Sequence, residues 1–244
     1  SIIIRGVNNM NVLIACEESQ RVVYEFRLKG HNAYSCDVLD CSGGFPQWHY
    51  KGDVLNILNG KSVFKTMDDK KHYIDKWDII IAFPPCTHLA VSGSRYFSEK
   101  RKDGRQKNAI EFFCNFLVCD CDKICIENPV NIIGGDYIKK YYPDLCEKYM
   151  LPIKPTQYIE PWQFGDNVTK KTGLWLKGLK PLVPIVTVKP DIEYKYWIDK
   201  NGNEKRQAKW IYDALINAKN KNEISFIRSK TFKGIAHAMA EQWG

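Results

Sequence analysis

Cys86 follows two prolines in the run Pro84-Pro85-Cys86-Thr87, just after the apolar triplet Ile79-Ile80-Ile81. Proline fixes the backbone and offers no amide hydrogen. A thiol in that setting is held rigidly where the chain leaves a strand. It is a candidate nucleophile, or a buried thiol in a proline-rich turn. A carboxylic acid stands in Glu127-Asn128-Pro129, after a second apolar triplet, Ile124-Cys125-Ile126. A pyrimidine ring resists attack at carbon 6 until its N3 is protonated or strongly hydrogen-bonded, and a thiolate with a nearby acid meets that need. Attack at carbon 6 makes carbon 5 nucleophilic, so a methyl donor in the next pocket completes the reaction.

Two more acids sit where a cofactor could use them. Asp37 lies about twenty residues after the first strand-to-helix turn, a spacing from which a carboxylate accepts both hydroxyls of a ribose. Asp53 stands at the next strand end and could contact an adenine amino group. Either could equally be a helix cap or a solvated loop acid. The first turn, Ala15-Cys16-Glu17-Glu18-Ser19, lacks the glycines that let a pyrophosphate approach. A donor without phosphates, such as S-adenosylmethionine, does not need that approach.

These residues require strands that end together. Val12-Leu13-Ile14 reads as a strand buried on both faces. Ser19 is a candidate cap for the next helix, with Val22, Val23 and Phe26 inward and Gly30 at its stop. A second strand covers Ala33 to Cys36 and ends at Asp37. Trp77 to Ala82 is the clearest strand, Ala109 to Val118 reads as a helix, and Ile124 to Ile126 as another buried strand. This alternation predicts an α/β fold with a mostly parallel sheet covered by helices on both sides, in which ligands bind at the carboxyl ends of the strands. Ser1 to Asn9 read as an extension before a natural start at Met10. Residues 10–177 form the expected core and 178–227 a small basic insert with a turn at Asn201-Gly202. Residues 228–244 form a helix that returns to the core through Phe232, Ile235, Ala236 and Met239.

The chain has 244 residues, 44% of them hydrophobic and 26% charged, which suits one main globular domain rather than a disordered chain. No apolar run approaches the roughly 18 residues of a membrane span, and no signal-peptide pattern opens the chain. A soluble cytoplasmic protein is expected, monomeric or weakly dimeric, rather than a membrane protein or a secreted scaffold. Nine cysteines without a CxxC pair predict reduced thiols and no metal site. The net charge of +8 arises entirely beyond residue 90, since residues 1–90 carry ten charges of each sign. A neutral half beside a basic half suits docking on a phosphate backbone.

These motifs resemble those of cytosine-5 DNA methyltransferases. Pro84-Pro85-Cys86 resembles the family's Pro-Cys nucleophile loop, and Glu127-Asn128-Pro129 its Glu-Asn-Val motif. Ala15 to Ser19 stands in place of its glycine-rich donor loop, and Asp37 and Asp53 match its two following acids. Phe164-Gly165, then Thr169-Lys170-Lys171-Thr172 and the strand through Leu174-Trp175-Leu176, resemble its Gln-x-Arg-x-Arg segment. Thr231-Phe232-Lys233-Gly234-Ile235-Ala236 resembles its last motif. The similarity covers about Met10 to Leu176 and Arg228 to Gly244. The Ala-Cys-Glu-Glu-Ser loop is similar to that of compact methylase-like proteins carried by phages or prophages. This sequence departs from the family at Glu17-Glu18, at Thr87 in place of a glutamine, and at Lys170 and Thr172 in place of arginines.

The resemblance implies a Rossmann-like methyltransferase fold, with S-adenosylmethionine as cofactor and double-stranded DNA as partner. RNA, a free nucleotide, a modified donor or a catalytically silent DNA-binding role are the alternatives. It implies that Cys86 adds to carbon 6, that Glu127 engages N3 and that Lys170 supports them. It draws donor contacts from Ala15, Cys16, Glu17, Glu18, Ser19, Asp37, Val38, Asp53, Val54, Pro84, Thr231 and Phe232. The stretch after Cys86 carries Arg95, Lys100, Arg101, Lys102, Arg105 and Lys107. It reads as a loop that closes over flipped DNA, with Gly93 and Gly104 supplying mobility; a solvated loop is the plainer reading. In the insert, Tyr194, Tyr196, Trp197, Trp210 and Tyr212 alternate with cations that include Lys205 and Arg206. That pattern suits nucleic acid or a small core of the insert's own.

Overall fold

Val12, Leu13 and Ile14 are fully buried, because β1 (Asn11–Ala15) lies inside a sheet with helices on both faces. The computed structural model describes residues 9–218, 220, 224, 227 and 229–244. Ser1 to Asn8 of the expected extension, residues 219, 221–223, 225 and 226 of the insert, and Arg228 lie outside the described residues. After β1 come α1 (Arg21–Leu28), β2 (Asn32–Asp37), β3 (His49–Lys51), β4 (Ser62–Lys65), β5 (Lys71–Ile74) and β6 (Ile79–Ala82). Then follow α2 (Phe97–Lys102), α3 (Arg105–Val118), β7 (Ile124–Pro129), α4 (Asp136–Tyr141) and α5 (Pro143–Tyr149). The chain continues through β8 (Gln157–Ile159), β9 (Thr172–Lys177), β10 (Tyr194–Ile198), β11 (Glu204–Ala208), α6 (Lys209–Asn217) and α7 (Lys233–Trp243).

Seven strands form the central sheet in the order β3-β2-β1-β6-β7-β9-β8. The neighbours from β3 to β7 are parallel, whereas β9 runs antiparallel to both β7 and β8. The fold is therefore α/β with a mostly parallel sheet, compatible with a Rossmann-like architecture. On one face Leu13, Ala15, Ile80, Ala82 and Ile126 pack with Ile110, Phe113 and Phe116 of α3. On the other, Val12, Ile14, Ile79 and Ile81 meet α1 and α7 through Val22, Phe26, Ile235 and Met239. The order reverses between β1 and β6, so the carboxyl ends of those two strands border the crevice where such sheets hold ligands.

Several expectations need correction. Ser19 does not cap α1. Gln20 takes the N-cap position in a left-handed conformation, φ 58°, with no side-chain hydrogen bond. The first amides of α1 turn instead to Glu17, whose carboxylate accepts from Val22 at 2.6 Å and Val23 at 3.2 Å. The strand expected from Trp77 begins at Ile79; Trp77 is a core side chain whose Nε1 donates to the Ile57 carbonyl at 2.7 Å. No strand is expected between Asp53 and Trp77, yet β4 and β5 pair as an antiparallel hairpin there. His72 of that hairpin bonds the Tyr34 hydroxyl at 3.0 Å.

The expected open loop after Cys86 is helical. Val91–Tyr96 form a 3-10 turn, α2 follows, and α3 begins at Arg105 rather than Ala109. Gly104, at φ 81°, is the N-cap of α3, and a Cβ on Gly93 would come within 3.5 Å of the Lys100 nitrogen. Gly104 thus serves a turn, and Gly93 stands in ordinary contact with Lys100. In the insert, Trp197 of β10 packs on Tyr212 of α6, and Trp210 meets Phe232 edge-on. Those aromatics thus contribute to packing, while Tyr196 remains 66% exposed. Among the described residues no helix is long and apolar enough to cross a membrane.

Candidate active site

The loop that bears Cys86 is stitched to the neighbouring strand end. β6 and β7 run in parallel register to Ala82 opposite Ile126, and beyond that point Glu127 stays in β7, paired only with Leu174 of β9. Asn128, fully buried, donates from Nδ2 to the Pro84 carbonyl at 2.7 Å and accepts from Asn131 at 3.0 Å. Ala90 bridges Asn131, and the Val91 and Ile132 amides donate to the Val130 and Leu89 carbonyls. Within the loop, the Leu89 and Ala90 amides both donate to the Cys86 carbonyl. Cys86 is half-buried at the head of this turn.

Glu127 is half-buried near the end of β7. Burial lifts its carboxyl above the usual range, opposed by the Lys170 cation and a hydrogen bond from Thr172. Thr172 begins β9, in register with Pro129 of β7. Lys170 also lies 5.9 Å from the Phe232 ring. Thus Glu127, Lys170, Thr172 and Phe232 meet at one place, although they come from three distant parts of the chain. The role of Asn131 is not signalled by the sequence; only its place three residues after Asn128 hints at it.

A second group of residues borders β1 and β2. Cys16 adopts a left-handed conformation, φ 59°, which lets the chain turn back so that the Glu17 amide reaches the Cys36 carbonyl at 3.1 Å. Burial, then the charges of Asp37, Cys36 and Asp53, hold the Cys16 thiol well above its ordinary range, so the two acids face this turn. Asp37 Oδ1 accepts from the Leu39 amide at 2.9 Å, and Asp53 Oδ1 from Leu55 at 3.0 Å. Each acid therefore acts as a local cap and keeps a second oxygen. Glu17 is enclosed as the α1 cap, and burial pushes its carboxyl up to about 7 against the pull of the Val22 and Val23 amides. Glu18 is only 8% exposed, and its Oε2 has no hydrogen-bond partner among the described residues. Buried acceptors are rarely left so.

The C-terminal segment closes this side. Arg21 donates to the Thr231 carbonyl, Lys230 reaches Ser42 at 3.3 Å, and the Gly234 amide donates to Asp166 at 2.8 Å. Ser42 in turn donates its amide to the Glu18 carbonyl. Val54 and Pro84 are buried, whereas Val38 is 69% exposed.

The cations after Cys86 differ in their surroundings. Lys107 pairs with Asp144 at 2.8 Å, and Arg105 pairs with Asp103 and Glu99. Arg101 donates to the Tyr137 hydroxyl and lies 4.0 Å from the Tyr141 ring centroid. Lys100 is buried and donates to the Thr87 carbonyl at 2.6 Å. Arg95 and Lys102 are exposed. In the insert, Lys205 pairs with Asp199 at 3.6 Å and Arg206 lies over Tyr194.

The chain matches no family model and no curated protein. Among the described residues no group of three His, Cys, Asp or Glu side chains could hold a metal ion. A cavity of about 70 Å³ is lined by Phe116, Ile124, Ile126, Trp175 and Lys177 among others, and neither Cys86 nor Glu127 lines it.

Proposed function

We propose that the chain methylates carbon 5 of cytosine in double-stranded DNA, using S-adenosylmethionine and acting on a base flipped out of its stack. The observation that carries this reading is the buried hydrogen bond from Asn128 to the Pro84 carbonyl. It fixes the Cys86 loop against the strand end that bears Glu127, as covalent addition to one pyrimidine ring requires.

The Cys86 sulfur adds to carbon 6 with its electron pair. The charge this drives into the ring collects at N3, where Glu127 supplies a proton. Burial keeps that proton on the carboxyl to higher pH than usual, and Lys170 and Thr172 limit the shift so that it can also be released. Once carbon 5 carries the new methyl group, loss of its proton to solvent expels the sulfur, and N3 returns its proton to the Glu127 carboxylate, which restores the ring. When bound, S-adenosylmethionine supplies an electrophilic methyl group to carbon 5. The residues on the β1–β2 side fit such a molecule. Asp37 and Asp53 each keep an oxygen for its hydroxyl and amino groups, and the unpartnered Glu18 acceptor suits a ligand that brings N–H donors.

Glu127→Gln tests the assignment. Turnover with duplex DNA falls by about a hundredfold or more, the usual weight of an acid catalyst, while the dissociation constant for DNA stays nearly unchanged. Equal losses in both contradict it. Transfer to RNA or a free cytosine nucleotide in preference to duplex DNA would change the substrate. DNA binding without any transfer would make the chain a silent binder.

A further inference from the structure

Lys100 belongs by sequence to the cations expected on DNA, but it is 7% exposed and faces inward. Its ammonium donates to the Thr87 carbonyl at 2.6 Å, lies about 6 Å from the Tyr96 and Phe97 rings, and fills the space beside Gly93. Among the described residues no carboxylate lies within ion-pair distance of it, although nearby Arg105 has two and Lys107 one. A buried ammonium without a counter-charge is costly to keep.

Thr87 directly follows Cys86, so chain geometry places this charge within roughly 12 Å of the Cys86 sulfur. Other ionisable groups also border the loop. His88 is held neutral by burial and by the charges of Lys100 and Arg105. Asp103 and Glu99 are drawn onto Arg105. The Lys170 cation, on the approach to β9, lies near the Glu127 carboxyl of β7 and opposes the effect of its burial. We propose that Lys100 is a positioning residue for the nucleophile: it anchors the Cys86-Thr87 backbone through the Thr87 carbonyl and supplies the fixed positive charge that favours the Cys86 thiolate. The thiol proton leaves to bulk water, and the sulfur keeps the electron pair that later forms the bond to carbon 6. This rests on Cys86 being the nucleophile of the proposed reaction, but it needs neither donor nor DNA to be tested.

The test is the pH dependence of Cys86 alkylation by iodoacetamide, followed by peptide mass spectrometry on the whole chain. A charge at this range, partly shielded from water, moves a thiol by about one unit. In the wild type the midpoint lies below about 8, beneath the ordinary cysteine value of roughly 8.5. Lys100→Met raises it by about one unit, a roughly tenfold slower reaction at pH 7, and Lys100→Arg restores most of the rate. A wild-type midpoint at or above 8.5 overturns the proposal even if the Met variant does not fold, as does a folded Met variant with an unchanged midpoint. If the Lys100 shift is found but no methyl transfer occurs on any substrate, the proposed function fails while this inference stands.

Discussion

Asn128→Asp replaces one atom group and tests the join between the two halves of the site. Asn128 is 1% exposed, and its Nδ2 is 2.7 Å from the Pro84 carbonyl oxygen. An aspartate at that place turns a donor toward the carbonyl into an acceptor, and keeps the oxygen that receives Asn131. The buried Pro84 carbonyl then has no donor, a loss of about 1–3 kcal/mol, with a further cost if the new carboxylate is ionised beside it. Burial and the facing carbonyl raise the folded-state pKa of the new acid above its unfolded value of about 3.9. Relative to wild type, the variant therefore loses least below that unfolded value, where a carboxylic O–H can donate to Pro84. The deficit grows as pH rises through the folded pKa. Urea denaturation of both proteins from pH 4 to 8 measures this difference, and single-turnover methylation reports its effect on alignment. A displacement of about 1 Å at a reacting group costs on the order of a hundredfold in rate. An aspartate variant as stable and as active as wild type at pH 8 refutes the claim that this bond holds the loop.

Other perturbations follow from the same contacts. Glu17 is raised to about 7 when folded, so its contribution to stability is complete below about 4.5 and declines as pH rises through 7; Glu17→Gln removes that decline from the wild-type stability profile. A Cβ on Gly234 would lie 1.9 Å from the Phe164 carbonyl, so Gly234→Ala lowers the melting temperature by several degrees in calorimetry by forcing the start of α7 from Asp166. Arg95 and Lys102 are exposed whereas Lys107 is paired with Asp144. Replacing both with alanine therefore reduces the salt slope of DNA binding by about two, and Lys107→Ala changes it less.

The central strands were legible because β1, β6 and β7 are buried on both faces and read as unbroken apolar runs. The crevice followed from topology, and the sequence placed Cys86 and Glu127 at adjacent strand ends. The hairpin β4–β5 escaped because Lys61, Lys65, Lys70 and Lys71 interrupt its short alternation, although Asp68-Asp69 marks the turn. The first turn of α3 is polar, and its buried Gln106 is held by Tyr137, Tyr142 and the His88 carbonyl rather than by apolar contact. Periodicity cannot see such a residue. Ser19 has the residue type of a cap, but the left-handed Gln20 redirects the chain and takes the N-cap position of α1. Lys100 looks like its exposed neighbours in sequence, and only burial separates it from them.

The most direct measurement of the account is covalent trapping on duplex DNA that contains 5-fluorocytosine, with S-adenosylmethionine present. Fluorine at carbon 5 cannot leave as a proton does, so the enzyme–base bond persists after methyl transfer. The account predicts an adduct that maps to Cys86 and disappears in Cys86→Ser. DNA bound without an adduct, or an adduct on another cysteine, contradicts it.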